Sequence, residues 1–166
     1  MRNYILLACL LLPLIGYSQC KALRKKKEKS TGKFTITTDP REPVSMSKVI
    51  QEGATTYYIR LLAPASATGD KKGVFVNVAD KTLLKWPDEA VSVTAERQRA
   101  WRNNPLTASS TLSLTADQLH TFATNRISDY ELSEFEWTLK GDSGELFRKQ
   151  VECLVNTMPR QKKRRD

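Results

Sequence analysis

Apolar and polar residues alternate with a period of two through the middle of this chain of 166 residues. Tyr57, Ile59 and Leu61 fall on one face of such a segment, and residues 73–79 and 134–139 alternate in the same way. Because the side chains of a strand point alternately to opposite faces, this pattern predicts half-buried β-strands. The chain is thereby constrained to a β-rich fold.

Turn signals divide the alternating segments. Asp80-Lys81 is typical of a tight turn, so residues 73–86 are predicted to form a hairpin. Pro87 cannot donate a ladder hydrogen bond, and we expect the strand to end there. Gly141-Asp-Ser-Gly144 is predicted to be a further turn.

Helical signals are confined to two places. Thr115 and Gln118 form a capping box, and apolar residues follow at helical spacing, which predicts a short helix that ends near Asn125. Residues 145–158 fit both a strand and a helix, and we expect a strand starting at Glu145 that passes into a terminal helix. Together these elements predict an α+β fold, mainly antiparallel β, built as a decorated β-sandwich with one or two short helices. A barrel is the alternative.

The order of these parts also resembles a known group of proteins. A strand TTYYIRLLA, a hairpin GVFVNVADKTLLKWPDEAVSV and a capped helix SLTADQLHTF occur in that order within residues 54–156. This arrangement resembles a group of exported, β-rich bacterial proteins of the Bacteroidota type, and its most specific piece is residues 114–119. The resemblance implies an exported β-rich domain, and it brings neither a known activity nor catalytic residues.

The first residues have the pattern of an export signal. Arg2 precedes an apolar run over residues 4–15, and the small residues Gly16 and Ser18 follow. This predicts a cleaved signal peptide over residues 1–18, because the run is too short to span a membrane. Lipidation at Cys20 is less favoured, since the bulky Gln19 precedes it. We therefore expect an exported protein, periplasmic or secreted.

The net charge of +9 is concentrated at the two ends of the chain. Residues 19–33 carry a net +6 and residues 159–166 a net +4, whereas residues 34–158, the predicted single β-rich domain, carry −2. Both basic segments are predicted to be disordered. They are either solvated ends or contacts for an anionic envelope surface or saccharide. No pattern indicates specific nucleic-acid binding.

Two cysteines remain after the predicted cleavage, Cys20 and Cys153. An oxidising compartment would allow them to form a disulfide that ties the two ends of the chain together. The alternative is that Cys153 is a buried free thiol. Spacing alone does not decide between the two.

Motifs that suggest catalysis have simpler explanations. Ser143 lies in a Gly-Asp-Ser-Gly sequence like that of serine proteases, and the single histidine, His120, and Asp129 precede it closely. That spacing leaves no room for the domains that hold such a triad. The acidic residues Glu134 and Glu136 fit a solvated sheet face better than a glycosidase pair. We predict no catalytic, metal or cofactor-binding residues.

One region combines an aromatic ring with several cations. Trp101 lies among Arg97, Arg99 and Arg102, whereas Trp137 falls on an apolar strand face and is expected in the core. Arginine and indole groups suit anionic or sugar ligands, so these four residues are the candidate binding loop. The alternative is an exposed strand end whose arginines pair with acids.

These observations predict an exported accessory or binding domain of the cell envelope that is not an enzyme. An envelope hydrolase, or a protein that regulates or inhibits a partner, remains the alternative.

Overall fold

The computed structural model describes residues 19–79 and 82–158, in which nine antiparallel strands form one sheet. The strands are β1 (Arg24–Lys27), β2 (Phe34–Thr37), β3 (Val44–Gln51), β4 (Ala54–Pro64), β5 (Gly69–Val78), β6 (Leu83–Thr94), β7 (Thr107–Ser113), β8 (Ile127–Leu132) and β9 (Phe135–Thr138). The helices are α1 (Ala116–Thr124) and α2 (Ser143–Asn156), and short 3-10 turns lie at Gln19–Ala22 and Arg99–Trp101.

The sheet curls into a half-barrel. Its strand order is β1-β2-β3-β4-β7-β6-β5-β8-β9, so β4 and β8 are separated by three strands. The hydroxyl of Tyr130 on β8 nevertheless donates a hydrogen bond to the carbonyl of Leu62 on β4. Strand twist accumulated over so many strands brings these two strands together. The α+β class with mainly antiparallel strands is confirmed, as one curled sheet nearer to the barrel alternative than to a sandwich.

Helix α2 packs against the sheet and completes the core. Phe147, Val151 and Leu154 recur at helical spacing and are buried against β3, β8 and α1. The ring of Phe147 meets that of Phe122 on α1 edge to face, with centroids 6.5 Å apart. The helix is therefore held on its apolar stripe, and its other faces remain available to solvent or ligand.

Several predicted elements are confirmed. Strands β5 and β6 pair as the predicted hairpin, and the turn residues 80 and 81 lie outside the described residues. Helix α1 has both capping-box hydrogen bonds, from Gln118 N to Thr115 Oγ1 and from Thr115 N to Gln118 Oε1. Strand β9 has the predicted alternation, with Phe135 buried and Glu136 exposed.

The predicted disorder of residues 19–33 is wrong for the central part of that segment. Strand β1 pairs along its length with β2, from Arg24 opposite Thr37 to Lys27 opposite Phe34. All four basic side chains of β1 are exposed. Backbone pairing offsets the charge repulsion here, because an edge strand keeps its side chains in water. The predicted signal peptide and the basic tail at 159–166 lie outside the described residues.

Two predicted strand boundaries are also wrong. Strand β6 continues through Pro87, because the ladder to β5 skips a residue between Lys72 and Val74, opposite the proline. A bulge of this kind tolerates a residue without an amide hydrogen. No strand starts at Glu145, since α2 begins at Ser143. Among the described residues, no helix is long and apolar enough to cross a bilayer.

Candidate functional site

A cleft of about 410 Å³ opens beside the first half of α2. It is lined by the loop at residues 42–44, by Ala100, by residues that end and follow β9, and by α2. The α2 residues at the cleft recur every three or four positions, so they share one face of the helix: Ser143, Leu146, Phe147 and Gln150. The volume lies within the roughly 300–1,000 Å³ typical of small-molecule sites.

The most unusual group in the cleft is the side chain of Gln150. This residue is only 6% exposed, yet its amide has no hydrogen-bond partner among the described residues. No fully enclosed side-chain nitrogen or oxygen in that part of the chain lacks a partner, so the exposed part of Gln150 includes its amide. The amide therefore faces the cleft, where water or a bound ligand can form hydrogen bonds with it.

Two tryptophans form the aromatic wall of the cleft. The indole of Trp137 lines it, and the ring of Trp101 packs edge-on behind, with the ring centroids 4.8 Å apart and an interplanar angle of 62°. Trp101 is itself buried, and its Nε1 donates to the Oγ1 of Thr107 at 3.2 Å. The buried ring of Trp101 therefore restricts the position of the Trp137 ring.

The loop on the opposite side of the cleft is held by the core. The carbonyl of Pro43 accepts a hydrogen bond from the amide of Leu62 at 2.9 Å and one from the hydroxyl of Tyr130 at 3.3 Å. Burial raises the pKa of Tyr130, so this hydroxyl stays protonated. Both bonds place the loop before any ligand arrives.

Opposite charges stand at the rim. Lys140 and Glu42 both line the cleft and are exposed, and neither forms an ion pair within residues 19–79 and 82–158. The N-cap residue of α2, Asp142, makes no side-chain hydrogen bond to the first turn of the helix. Glu145 in the first turn of α2 pairs with Arg148, and neither Glu145 nor Asp142 lines the cleft. Lys140 therefore provides the positive charge of the cleft where α2 begins.

The predicted binding loop lies next to this cleft rather than in it. Trp101, expected as an exposed stacking surface, is 8% exposed and serves as the support of Trp137. Arg97, Arg99 and Arg102 are exposed, and in the described part of the chain none of them forms an ion pair with an acid. Their binding role stays a prediction.

The residues of the protease-like motif are not brought together. Ser143 lines the cleft, His120 lies exposed on α1, and Asp129 lies on the outer face of β8. Asp129 instead accepts hydrogen bonds from Nδ2 of Asn77 and from the hydroxyl of Ser128. Gly141 and Asp142 form a turn as predicted, but it leads into α2 rather than joining two strands of a hairpin. Ser143 and Gly144 belong to the first turn of α2, where Gly144 packs against the carbonyl of Ile127.

The acidic strands offer no metal centre. Glu134 pairs with Lys71, and Glu136 lies exposed on β9. No group of three or more histidine, cysteine or carboxylate residues with metal-binding geometry occurs in the described ranges.

The predicted pairing of the two cysteines is present. The structure joins Cys20 to Cys153 by a disulfide, with their Cα atoms 5.4 Å apart. The bond ties the 3-10 turn before β1 to the last turns of α2. Cys153 is therefore not the free thiol of the alternative interpretation.

Sequence reasoning missed Gln150, although a signal was present. Gln150 lies three residues after Phe147 and four before Leu154, on the apolar stripe of α2. A polar residue within such a stripe needs either a partner or a ligand.

Comparison with protein-family models, curated proteins and solved structures finds no match for this chain.

Proposed function

We propose that this protein is an exported, non-enzymatic binding domain of the cell envelope, and that the cleft beside α2 is its ligand site. The observation that carries the proposal is Gln150, a residue only 6% exposed whose amide faces a ligand-sized cleft and has no protein partner in the described structure. An aromatic wall with a few polar groups is typical of small-molecule and peptide sites. The wall here is Trp137, backed by Trp101.

Binding is favoured over hydrolysis by the composition of the cleft. Ser143 would need a general base within hydrogen-bond reach to act as a nucleophile. The chain has one histidine, His120, and it does not line the cleft. In the described structure the hydroxyl of Ser143 forms no hydrogen bond with the side chain of Glu42 or of Lys140, and only the backbone amide of Ser143 contacts Lys140, through its carbonyl. The hydrolase alternative would require one of these groups to move onto the serine when substrate binds.

The basic edge strand supports contact with an anionic envelope surface. Strand β1 presents Arg24, Lys25, Lys26 and Lys27 to solvent at the edge of the sheet. Among these, Arg24 contacts Asp39 at 3.4 Å, and the three lysines have no ion-pair partner in the described structure. Each basic residue near an anionic membrane contributes about 1 kcal/mol. Export is proposed from the N-terminal sequence pattern, and a disulfide accords with an oxidising compartment.

The ligand site is tested with an apolar anionic dye, 8-anilinonaphthalene-1-sulfonate, titrated into the full chain. Leu146 is 47% exposed at the cleft, and Leu83 is 40% exposed away from it. Leu146→Glu should abolish dye binding, and the matched control Leu83→Glu should leave it unchanged. Absence of binding by the wild type, or equal loss in both variants, would overturn the assignment of the cleft.

The surface contact is tested with vesicles of phosphatidylglycerol and phosphatidylcholine at low salt. Lys25 and Lys27 lie on the same side of β1, so Lys25→Gln with Lys27→Gln should weaken vesicle binding several-fold. The control pair Lys72→Gln with Lys85→Gln removes the same charge from exposed positions elsewhere. Equal weakening by the two pairs would show that only net charge matters and would refute a role for β1.

A further inference from the structure

We infer that the cleft binds the carboxyl-terminal residues of a peptide whose last side chain is large and apolar. This inference rests on the proposed ligand site and names its ligand class. Three features of the cleft point to it: an apolar wall, a positive end at Lys140, and an amide that faces the cleft without a protein partner in the described structure. Their order along α2 fixes how the peptide would lie.

The apolar surface would receive the last side chain. Leu146 is a large apolar side chain that is nearly half exposed, and it stands beside Trp137 and the buried Phe147. Removing this surface from water is favourable at roughly 25 cal/mol per Å². An aliphatic or aromatic side chain seated between Leu146 and Trp137 would cover it.

The positive end would receive the carboxylate. Ser143 is the first residue of α2 and its amide donates to the carbonyl of Lys140, whereas the amides that follow receive no side-chain cap from Asp142. Backbone amides at a helix start bind anions, and Lys140 adds a full positive charge at the same end of the cleft. Glu42 also lines the cleft and disfavours a second negative charge, so the ligand should carry one carboxylate only.

The amide of Gln150 would receive the peptide backbone. A glutamine side chain both donates and accepts hydrogen bonds, as a peptide group does. Gln150 lies seven residues after Ser143, which is about 10 Å along the helix axis at 1.5 Å per residue. An extended chain advances roughly 3.3–3.6 Å per residue. A carboxylate at the helix start therefore places the peptide group about three residues back beside Gln150.

Isothermal titration of the full chain with three peptides tests this ligand class. The probes are N-acetyl-Gly-Gly-Leu, its carboxamide and N-acetyl-Gly-Gly-Glu. The free carboxylate should bind, and the carboxamide and the glutamate peptide should each bind at least about tenfold more weakly, since a charge-assisted contact is worth about 1.5–3 kcal/mol. Equal binding of the carboxylate and the carboxamide would overturn the inference.

Two charge variants separate the electrostatic contribution from a loss of structure. Lys140→Gln should weaken binding of the carboxylate peptide several-fold and leave the carboxamide unchanged. Glu42→Gln should strengthen binding of the carboxylate peptide, and effects of the same sign in both variants would contradict the assignment. If the dye binds the cleft while no peptide does, the inference fails and the proposed site stands. If neither binds, both fail.

Discussion

The Nζ of Lys48 lies 3.0 Å from the carbonyl oxygen of Val155. A second contact of 3.0 Å joins the same ammonium to the carbonyl of Thr157, just after α2 ends. Lys48 is on β3 and only 4% exposed, and its ammonium lies 5.6 Å from the ring centre of Tyr57. The lysine therefore caps the negative end of the helix that lines the cleft and ties it to the sheet.

Replacing this lysine should loosen the end of α2. Lys48→Met keeps the length of the side chain but leaves two helix carbonyls without their donor, so we expect a loss of about 1–3 kcal/mol in the free energy of unfolding. Urea denaturation followed by circular dichroism measures it. Lys48→Arg keeps a donor and should lose less. A Met variant as stable as the wild type would show that the two contacts make no net contribution to the free energy of unfolding.

Tyr130 should contribute both stability and a pH dependence. Tyr130→Phe removes the donor to the carbonyls of Leu62 and Pro43, and we expect a loss of about 1–2 kcal/mol at neutral pH. Burial raises the pKa of Tyr130 above its ordinary 10.0. The unfolded chain therefore loses this proton first, and the stability from Tyr130 is present below pH 10 and lost as the pH rises further.

Denaturation of both proteins at pH 7 and pH 11 checks the tyrosine prediction. The difference in stability between wild type and Tyr130→Phe should shrink at pH 11. A difference that is unchanged or larger at pH 11 would contradict a buried, neutral hydroxyl. Tyr58 is half-buried on β4, and Tyr58→Phe is the control for losing a tyrosine elsewhere.

The disulfide should contribute a large part of the free energy of unfolding of the oxidised protein. It closes a loop with a sequence separation of 133, for which the chain-entropy model gives about 5 kcal/mol. We expect Cys20→Ser, Cys153→Ser and the double variant to be destabilised alike. Mass spectrometry of the non-reduced protein should find one Cys20–Cys153 peptide. A free thiol at Cys153 in protein from its native compartment would refute the bond.

Local signals were sufficient to predict some elements of this fold. The capping box of α1 predicts its own start, because both of its hydrogen bonds lie within four residues. The pairing of β5 with β6 follows from alternation on both sides of the turn predicted at Asp80-Lys81. These elements depend on contacts between neighbours in sequence, and a single sequence contains that information.

Other elements depend on partners distant in sequence. The buried residues Val44, Met46 and Lys48 alternate along the inner face of strand β3. A lysine interrupts the apolar pattern expected for such a face, and its burial is explained only by the carbonyls at the end of α2 that it contacts. Strand β1 consists only of basic residues, and it is ordered by pairing with β2. The cleft could not be predicted for the same reason. The amide of Gln150 faces a cleft whose other walls come from segments that are distant from α2 in the sequence.

Asp39, in the loop before β3, should titrate at unusually low pH. Its carboxylate accepts hydrogen bonds from the guanidinium of Arg41, and Arg24 lies 3.4 Å away. The bonds from Arg41 lower the pKa of Asp39 from 3.8 to about 2. Because the folded pKa is depressed, the pair stabilises the protein above pH 3.8 and loses that effect as the pH falls toward 2.

An NMR titration of the Asp39 carboxyl carbon tests whether Arg41 lowers the pKa of Asp39 more than Arg24 does. Arg41→Gln should raise the midpoint most of the way to 3.8, whereas Arg24→Gln should raise it only slightly, because the contact of Arg24 with the carboxylate is long, at 3.4 Å, and its effect on the pKa is the smallest. A larger shift from Arg24→Gln than from Arg41→Gln would reverse the assignment.

Gly144 shows why the protease-like motif occurs in this chain. A Cβ atom at this position would lie 2.1 Å from the carbonyl oxygen of Ile127, so only glycine lets the first turn of α2 pack on β8. Gly144→Ala should therefore cost about 2–3 kcal/mol in the free energy of unfolding, because backbone has to move.

Gly141 provides the matched control for Gly144. Its φ is +58°, and a Cβ atom there would meet nothing within 4 Å, so Gly141→Asn should cost well under 1 kcal/mol since asparagine tolerates this conformation. Ser143→Ala, between the two glycines, should leave stability nearly unchanged because the serine is exposed. Urea denaturation of the three variants measures all of these effects. If the Gly144→Ala protein were as stable as the Ser143→Ala protein, the packing explanation for the motif would be refuted. A role of the serine would then be the better explanation.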